Sequence, residues 1–374
     1  MGIRRIVLLV GWNLGLLLAG LVAAELTFGG WLRAPGLWDL AVFRDVDWRL
    51  ETAEKYPGPG TARYVRDHYG LRGAYGTPAD IDILTLGGST TDQRFVGEGE
   101  TWQDVLGRCL KQSGAPARIA NAGVSGQSTR GHLLNLKSWL PHIPGLKPRL
   151  VIVYVGINDI QLEGREDNED PTRYNESDRP LDRLRLLRKW IEGNSALVRL
   201  IRTAKGNWKA YQAGYHPLTV PPASAGTTAA DQVDRAWRAE SGRTLALGSA
   251  EHARAIAAVT AERGPLLADY RRRLESLVAA IRQWEARPLV VTQAAGSYRR
   301  VGDTIVGNID QYAILASYNA VAQDVCRQTD AECLPFGETV RWEDGDLYDT
   351  IHTTPQGSAR VGEAVCRYLA GRPN

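Results

Sequence analysis

DILTLGGSTTDQ, residues 82–93, sets an apolar run against two glycines and then three hydroxyl residues. The run from Ile81 to Leu86 has the length and character of a buried strand. The glycines let the chain turn sharply at its end, which leaves Ser89 at the carboxyl edge where open α/β sheets place their sites. A surface turn, a phosphate cradle and a serine nucleophile all fit these residues taken alone. Neither G-x-G-x-x-G nor G-x-x-x-x-G-K-S/T is present, so the phosphate cradle is the weakest of the three.

Working outward, further apolar runs occur at Arg118 to Ala120, Leu150 to Val155 and Leu289 to Thr292, with a weaker fifth at Glu332 to Phe336. Helical spacing lies between them. Thr101 to Gln112 carries Trp102, Val105, Leu106, Cys109 and Leu110 on one face, and Gly131 to Leu140 carries a leucine stripe. A stronger helix is expected to begin at Pro265, with Leu267, Tyr270, Leu274, Leu277, Ile281 and Trp284 facing inward. Strands alternating with helices predict a flavodoxin-like three-layer α/β/α sandwich around a parallel sheet of about five strands. Residues 160–264 interrupt the alternation and show no strand. They read as a helical insertion, with two short helices between Leu181 and Ile201 broken at GNS, and an exposed loop from Pro217.

The chain begins differently. Ile6 to Ala24 holds no charge, and at about 1.5 Å per residue it matches a hydrocarbon core of roughly 30 Å. Arg4 and Arg5 precede it and Glu25 follows, which predicts a body outside the cytoplasm. A cleaved signal peptide ending at Val22-Ala23-Ala24 is the alternative, and it exports the domain equally. The expected organisation is an anchor over residues 1–27, a juxtamembrane lead-in over 28–78, and the sheet domain over 79–374. Net charge is only +3 with no basic, aromatic-interleaved tract, which sets nucleic acid aside as a partner. Leu181 to Lys209 holds eight basic residues against two acidic ones, and reads as a solvated helix face or a surface for anionic lipid or acidic glycan.

In an exported domain four cysteines allow three pairings. Cys326 and Cys333 flank a short polar segment and suit a small local loop, whereas Cys109 and Cys366 also read as buried small hydrophobes. No Cys-x-x-Cys suggests zinc, and neither a cofactor nor a metal is expected.

Two further strand ends carry small and polar groups. The second run leads into NAGVSGQST, residues 121–129, and the third into VYVGINDI, residues 153–160, where Asn158 falls at the same edge as Ser89 and Asp159 is assigned to holding its loop. Near the C-terminus, YDTIHTTPQGSARVGEAV, residues 348–365, sets Asp349 three residues before His352, ahead of a helix capped by Thr354 with Pro355 in its first turn. Acyl transfer through a serine needs a base to take the hydroxyl proton, and a carboxylate to fix the tautomer of that base.

These blocks resemble the SGNH hydrolases, also called the GDSL esterase/lipase family. They appear in order as LGGST with Ser89, NAGVSGQ with Gly126, GIND with Asn158, and DTIH with Asp349 and His352. The resemblance implies that Ser89 is the nucleophile, that His352 is general base and then acid, and that Asp349 orients it. It implies an oxyanion hole made by the backbone N–H groups of Ser89 and Gly126 and the Asn158 side chain. Two positions depart from the pattern: the usual Gly-Asp-Ser-Leu reads Gly-Gly-Ser-Thr, and Ile157 stands where many members carry glycine. The stretches YVRDHYGLRG and GGSTTDQRFVGEGETWQDVL also resemble membrane-anchored bacterial members that accompany surface-polysaccharide systems.

The expected activity is that of a membrane-anchored, extracytoplasmic serine esterase. It would remove acetyl or another acyl group from a carbohydrate or lipid-linked substrate. Two alternatives stay open: an O-acyltransferase using the same residues on surface polysaccharide, and a catalytically silent glycan-binding or assembly component.

Overall fold

The computed structural model describes residues 3–32, 42–161 and 242–371, together with parts of 191–208. Most of the expected helical insertion, including the loop from Pro217, lies outside the described residues. Five strands form a parallel sheet: β3 (Ile83–Gly87), β4 (Ile119–Asn121), β5 (Leu150–Tyr154), β7 (Arg287–Val291) and β10 (Glu332–Leu334). Each corresponds to one of the five apolar runs. Their order across the sheet is β10-β7-β5-β3-β4, so the chain reverses direction after β4, and the switch point lies between β3 and β5.

Residues alternate between the two faces of this sheet. Ile83, Ile119, Leu150, Ile152, Leu289 and Val291 share a buried cluster with Trp102, Leu106 and Leu110 of α3 (Trp102–Gln112) and with Val361 and Val365 of α8 (Pro355–Ala370). Their neighbours Leu84, Leu86, Val151, Val153 and Val290 are buried on the opposite face. There α4 (Thr129–Ser138), α5 (Ala250–Gln283) and α6 (Ile309–Thr329) pack against one another. The result is the three-layer sandwich expected, with one short helix, α2 (Ser89–Asp92), rising from the switch point and another, α7 (Phe336–Thr339), following β10.

Several local expectations are corrected. The helix expected to start at Pro265 starts at Ala250 and carries that proline in its interior. Ser249 caps it by accepting from the His252 N–H at 3.0 Å, and Val259 and Leu267, on either side of the proline, are both buried. Packing along the helix thus outweighs the one hydrogen bond that proline removes. A strand does occur within 160–264: β6 (Thr244–Ala246) pairs with β9 (Thr304–Gly307), which pairs with β8 (Tyr298–Val301) in a small antiparallel sheet. At three residues it is too short to show a periodicity.

The local cysteine loop does not form. Cys109 of α3 is bonded to Cys366 of α8, and Cys326 and Cys333 are free. The two helices lie side by side on one sheet face, which brings together cysteines 257 residues apart.

The second half of the lead-in is structured too. β1 (Val46–Glu51) and β2 (Thr61–Arg66) form an antiparallel hairpin belonging to the same compact unit as the sheet. β2 alternates, with Ala62, Tyr64 and Arg66 buried.

The described residues before Val42 and those between 191 and 208 belong to a second unit. Its helix α1 (Ile3–Phe28) contains a segment, Val7–Phe28, long and apolar enough to cross a membrane, a test that a signal sequence also passes. Near the end of α1 the Glu25 carboxylate accepts from the Ser195 hydroxyl at 2.6 Å, from the Ala196 and Leu197 N–H groups at 3.0 Å, and from the Trp31 indole at 2.7 Å.

Candidate active site

Ser89 opens α2 directly after β3, with Gly88 as the residue before the helix. Its N–H is among those a helix leaves without an intrahelical acceptor. A Cβ on Gly88 would collide with the Asn158 amide nitrogen, so the Asn158 side chain packs directly against the serine turn.

The Ser89 hydroxyl lies 2.7 Å from His352 Nε2, and His352 Nδ1 lies 2.6 Å from Asp349 Oδ2. The other Asp349 oxygen accepts from the backbone N–H groups of Ile351 at 2.9 Å and His352 at 2.7 Å, which fixes the loop before α8. Burial alone would push the Asp349 carboxyl up. Its bond to His352, the charge there and the two backbone donors outweigh burial and hold it below the ordinary aspartate value. On the far side, the Tyr348 ring stacks on the imidazole at 5.5 Å between centres and 11° between planes.

Asn158 follows β5, across the switch point from Ser89. Its amide donates to the Gln127 carbonyl at 2.8 Å and has a second N–H to offer. Gln127 follows Gly126, whose backbone is left-handed at φ +83° with open space where a side chain would be. Gly88, Gln127 and Asn158 thus meet at one spot beside the serine turn. Ile157 turns away from that spot. Its N–H donates to Gln293 Oε1 at 2.7 Å, and its side chain packs with Leu245, Tyr298 and Ile305. Asp159 accepts from the Thr129 hydroxyl at 2.6 Å and from Arg273 at 3.2 Å, joining its loop to the start of α4.

Three supports are absent from the sequence reading. Gln293, just past β7, receives the Ile157 N–H and donates to the Thr90 hydroxyl at 2.9 Å, so it ties the Asn158 loop to the serine turn. Its strand run ends at the same edge as the others, and that was the available signal. Arg66 is buried and donates to Asp92 at 2.6 Å and to the Gly123 carbonyl. Arg72 donates to the carbonyls of Asp92 at 2.8 Å, Gln93 at 3.0 Å and Val96 at 2.6 Å. Both arginines come from the YVRDHYGLRG stretch, and together they clamp the turn that presents Ser89. Among the described residues no group of three or more His, Cys, Asp or Glu side chains is placed to hold a metal ion.

A model of the GDSL-like lipase/acylhydrolase family matches residues 85–360, and the chain belongs to that family. It is an ester-cleaving hydrolase. Solved structures with related folds include TesA, 16% identical, with a TM-score of 0.40, covering 78% of this chain and 98% of its own. The acetylxylan esterase Axe2 from Geobacillus stearothermophilus is 14% identical, with a TM-score of 0.38, covering 78% of this chain and 94% of its own. A putative lipolytic protein of the G-D-S-L family from Desulfitobacterium hafniense is 12% identical, with a TM-score of 0.38, covering 76% and 97%. No curated protein matches the chain.

Proposed function

We propose that this protein is a membrane-anchored serine esterase working outside the cytoplasm, and that it removes acetyl or a similar acyl group from a carbohydrate or lipid-linked substrate. The observation that carries the reading is the unbroken chain from the Ser89 hydroxyl through His352 to Asp349, at 2.7 and 2.6 Å. In this mechanism His352 Nε2 takes the serine proton as Oγ attacks the acyl carbon, and Asp349 stabilises the imidazolium. Negative charge develops on the former carbonyl oxygen, where the N–H groups of Ser89 and Gly126 and the free N–H of Asn158 receive it. His352 then returns its proton to the departing alkoxide, leaving an acyl-serine. A water molecule repeats the sequence, with His352 as base and then acid, and the carboxylic acid leaves.

The anchor over residues 1–27 and the location are supported by the apolar helix, with Arg4 and Arg5 at its start, and by the Cys109–Cys366 bond, which suits an oxidising compartment. A fluorophosphonate probe tests the chemistry: it should label the protein once, at Ser89, and Ser89→Ala should abolish labelling. Absence of labelling on folded protein would instead favour a silent binding component.

A further inference from the structure

The His352 side of the site carries an uncommitted positive charge. Lys55, in the turn of the β1–β2 hairpin, holds its ammonium 4.3 Å from the centre of the Phe95 ring and 5.3 Å from that of Tyr348. Tyr348 is the ring stacked on His352, so the ammonium stands no more than about 11 Å from the imidazole. Tyr56, next to Lys55, locks the arrangement: its hydroxyl donates to the Phe95 carbonyl, and its ring lies 6.1 Å from Tyr348. Among the described residues Lys55 has no carboxylate partner. Close by in sequence, Arg94 rests over Phe43 at 5.1 Å, only loosely paired with Asp92 at 3.8 Å, and its buried Nε has no acceptor. Ring faces hold a cation in place without consuming its hydrogen-bond donors as a carboxylate would.

The chemistry says what extends over this surface. His352 must protonate the departing alkoxide, so the alcohol part of the ester lies against His352, whose ring stacks on Tyr348. We infer that Lys55, with Phe95 and Tyr348, forms a subsite for a carboxylate carried by the alcohol part of the substrate, so that the preferred esters are those of acidic, uronate-type sugars. The inference rests on the esterase reading above and adds a substrate class to it. A cation held over ring faces keeps its N–H donors for a carboxylate, which receives them as charge-assisted hydrogen bonds.

A matched pair of esters tests this: 4-acetoxybenzoate, with a carboxylate on its leaving group, and its neutral methyl ester. The readout is the ratio of kcat/KM for the anionic to the neutral ester. Because the intrinsic reactivity of each ester is common to all variants, only the protein moves the change in ratio. Lys55→Met should lower the ratio about tenfold, Lys55→Arg should hold it near that of the unaltered protein, and Lys55→Glu should lower it further. The ratio in the unaltered protein should also fall as salt rises from 0.02 to about 0.5 M, since ions screen a partly exposed cation. A ratio unmoved in Lys55→Met, or an equal loss on both esters, overturns the subsite. A larger Lys55 effect on 4-acetoxyphenyl phosphate than on the benzoate overturns the assignment to a carboxylate. Failure to turn over either ester, together with no fluorophosphonate labelling of Ser89, refutes the esterase reading itself.

Discussion

Arg66 and Asp92 form an ion pair of 2.6 Å in which both side chains are almost wholly excluded from solvent. Arg66 belongs to the hairpin before the sheet, outside the family match, and Asp92 closes the helical turn that begins with Ser89. Tyr64 completes the group by donating to the same Asp92 oxygen at 2.8 Å. Removing Arg66 leaves the buried Asp92 with only the distant Arg94, at 3.8 Å, as counter-charge, and breaking such a buried pair costs about 3–5 kcal/mol. Arg66→Met should therefore lower the urea midpoint by that equivalent, and a chain beginning at residue 79 should not yield a stable domain. A loss below about 1 kcal/mol would show that the pair is not needed to hold the serine turn.

Asn158 is the donor whose removal should be felt in turnover more than in stability. Among the described residues its side chain makes one bond, to the Gln127 carbonyl, and the loop carrying it is held separately by Gln293 and by Asp159. Asn158→Ala should reduce kcat on aryl acetates about a hundredfold to a thousandfold, as loss of an oxyanion donor does. Fluorophosphonate labelling of Ser89 should slow yet persist, because the hydroxyl and its base remain. Unchanged kcat would remove Asn158 from the proposed oxyanion hole.

The sheet was readable because each of its strands is a short apolar run ending in small or polar residues, and a parallel sheet gathers those ends at one edge. Ser89 and Asn158 stand just past two of those ends, Asp349 and His352 were paired by what acyl transfer requires of a base, and their roles together were what the resemblance to the GDSL family implied. The arginine clamp was not readable for a physical reason. In β2 the inward positions are Ala62, Tyr64 and Arg66, so the alternation that marks a half-buried strand is broken by a charge whose partner, Asp92, is 26 residues away. The helix start at Ala250 was hidden because proline and glycine at 264–265 imitate a boundary. The cysteine pairing was hidden because it depends on α3 and α8 meeting across almost the whole domain.

That pairing gives a second stability test. The Cys109–Cys366 bond closes a loop spanning a sequence separation of 257 residues, and in the chain-entropy view a loop of this size restrains the unfolded state by about 5 kcal/mol. The double variant Cys109→Ser/Cys366→Ser should lose a large part of that, seen as a lower unfolding temperature and greater protease susceptibility. The unaltered protein should shift in the same direction under reductant. If reductant moves the melting temperature of the double variant equally, the bond is not the cause.

Two buried groups set opposing pH dependences beneath the site. Burial raises the Asp159 carboxyl to about 6, despite the Thr129 and Arg273 partners, and burial lowers His132 on α4 to about 3. For Asp159 the folded value lies above the unfolded one, so its contribution is fully present below about pH 4 and is lost as pH rises through about 6. For His132 the folded value lies below, so its contribution is present above about pH 6.5 and is lost as pH falls toward 3. Between pH 6 and 4 the folded state takes up a proton at Asp159 while the unfolded state takes one up at His132, and the two largely cancel. Asp159→Asn removes one side of that balance. Its stability relative to the unaltered protein should fall on acidification by about 1 kcal/mol per pH unit across this window, measured by urea unfolding at pH 6, 5 and 4. A constant difference between variant and unaltered protein across that range would show that Asp159 is already ionised at pH 4, with Arg273 supplying more than burial takes away.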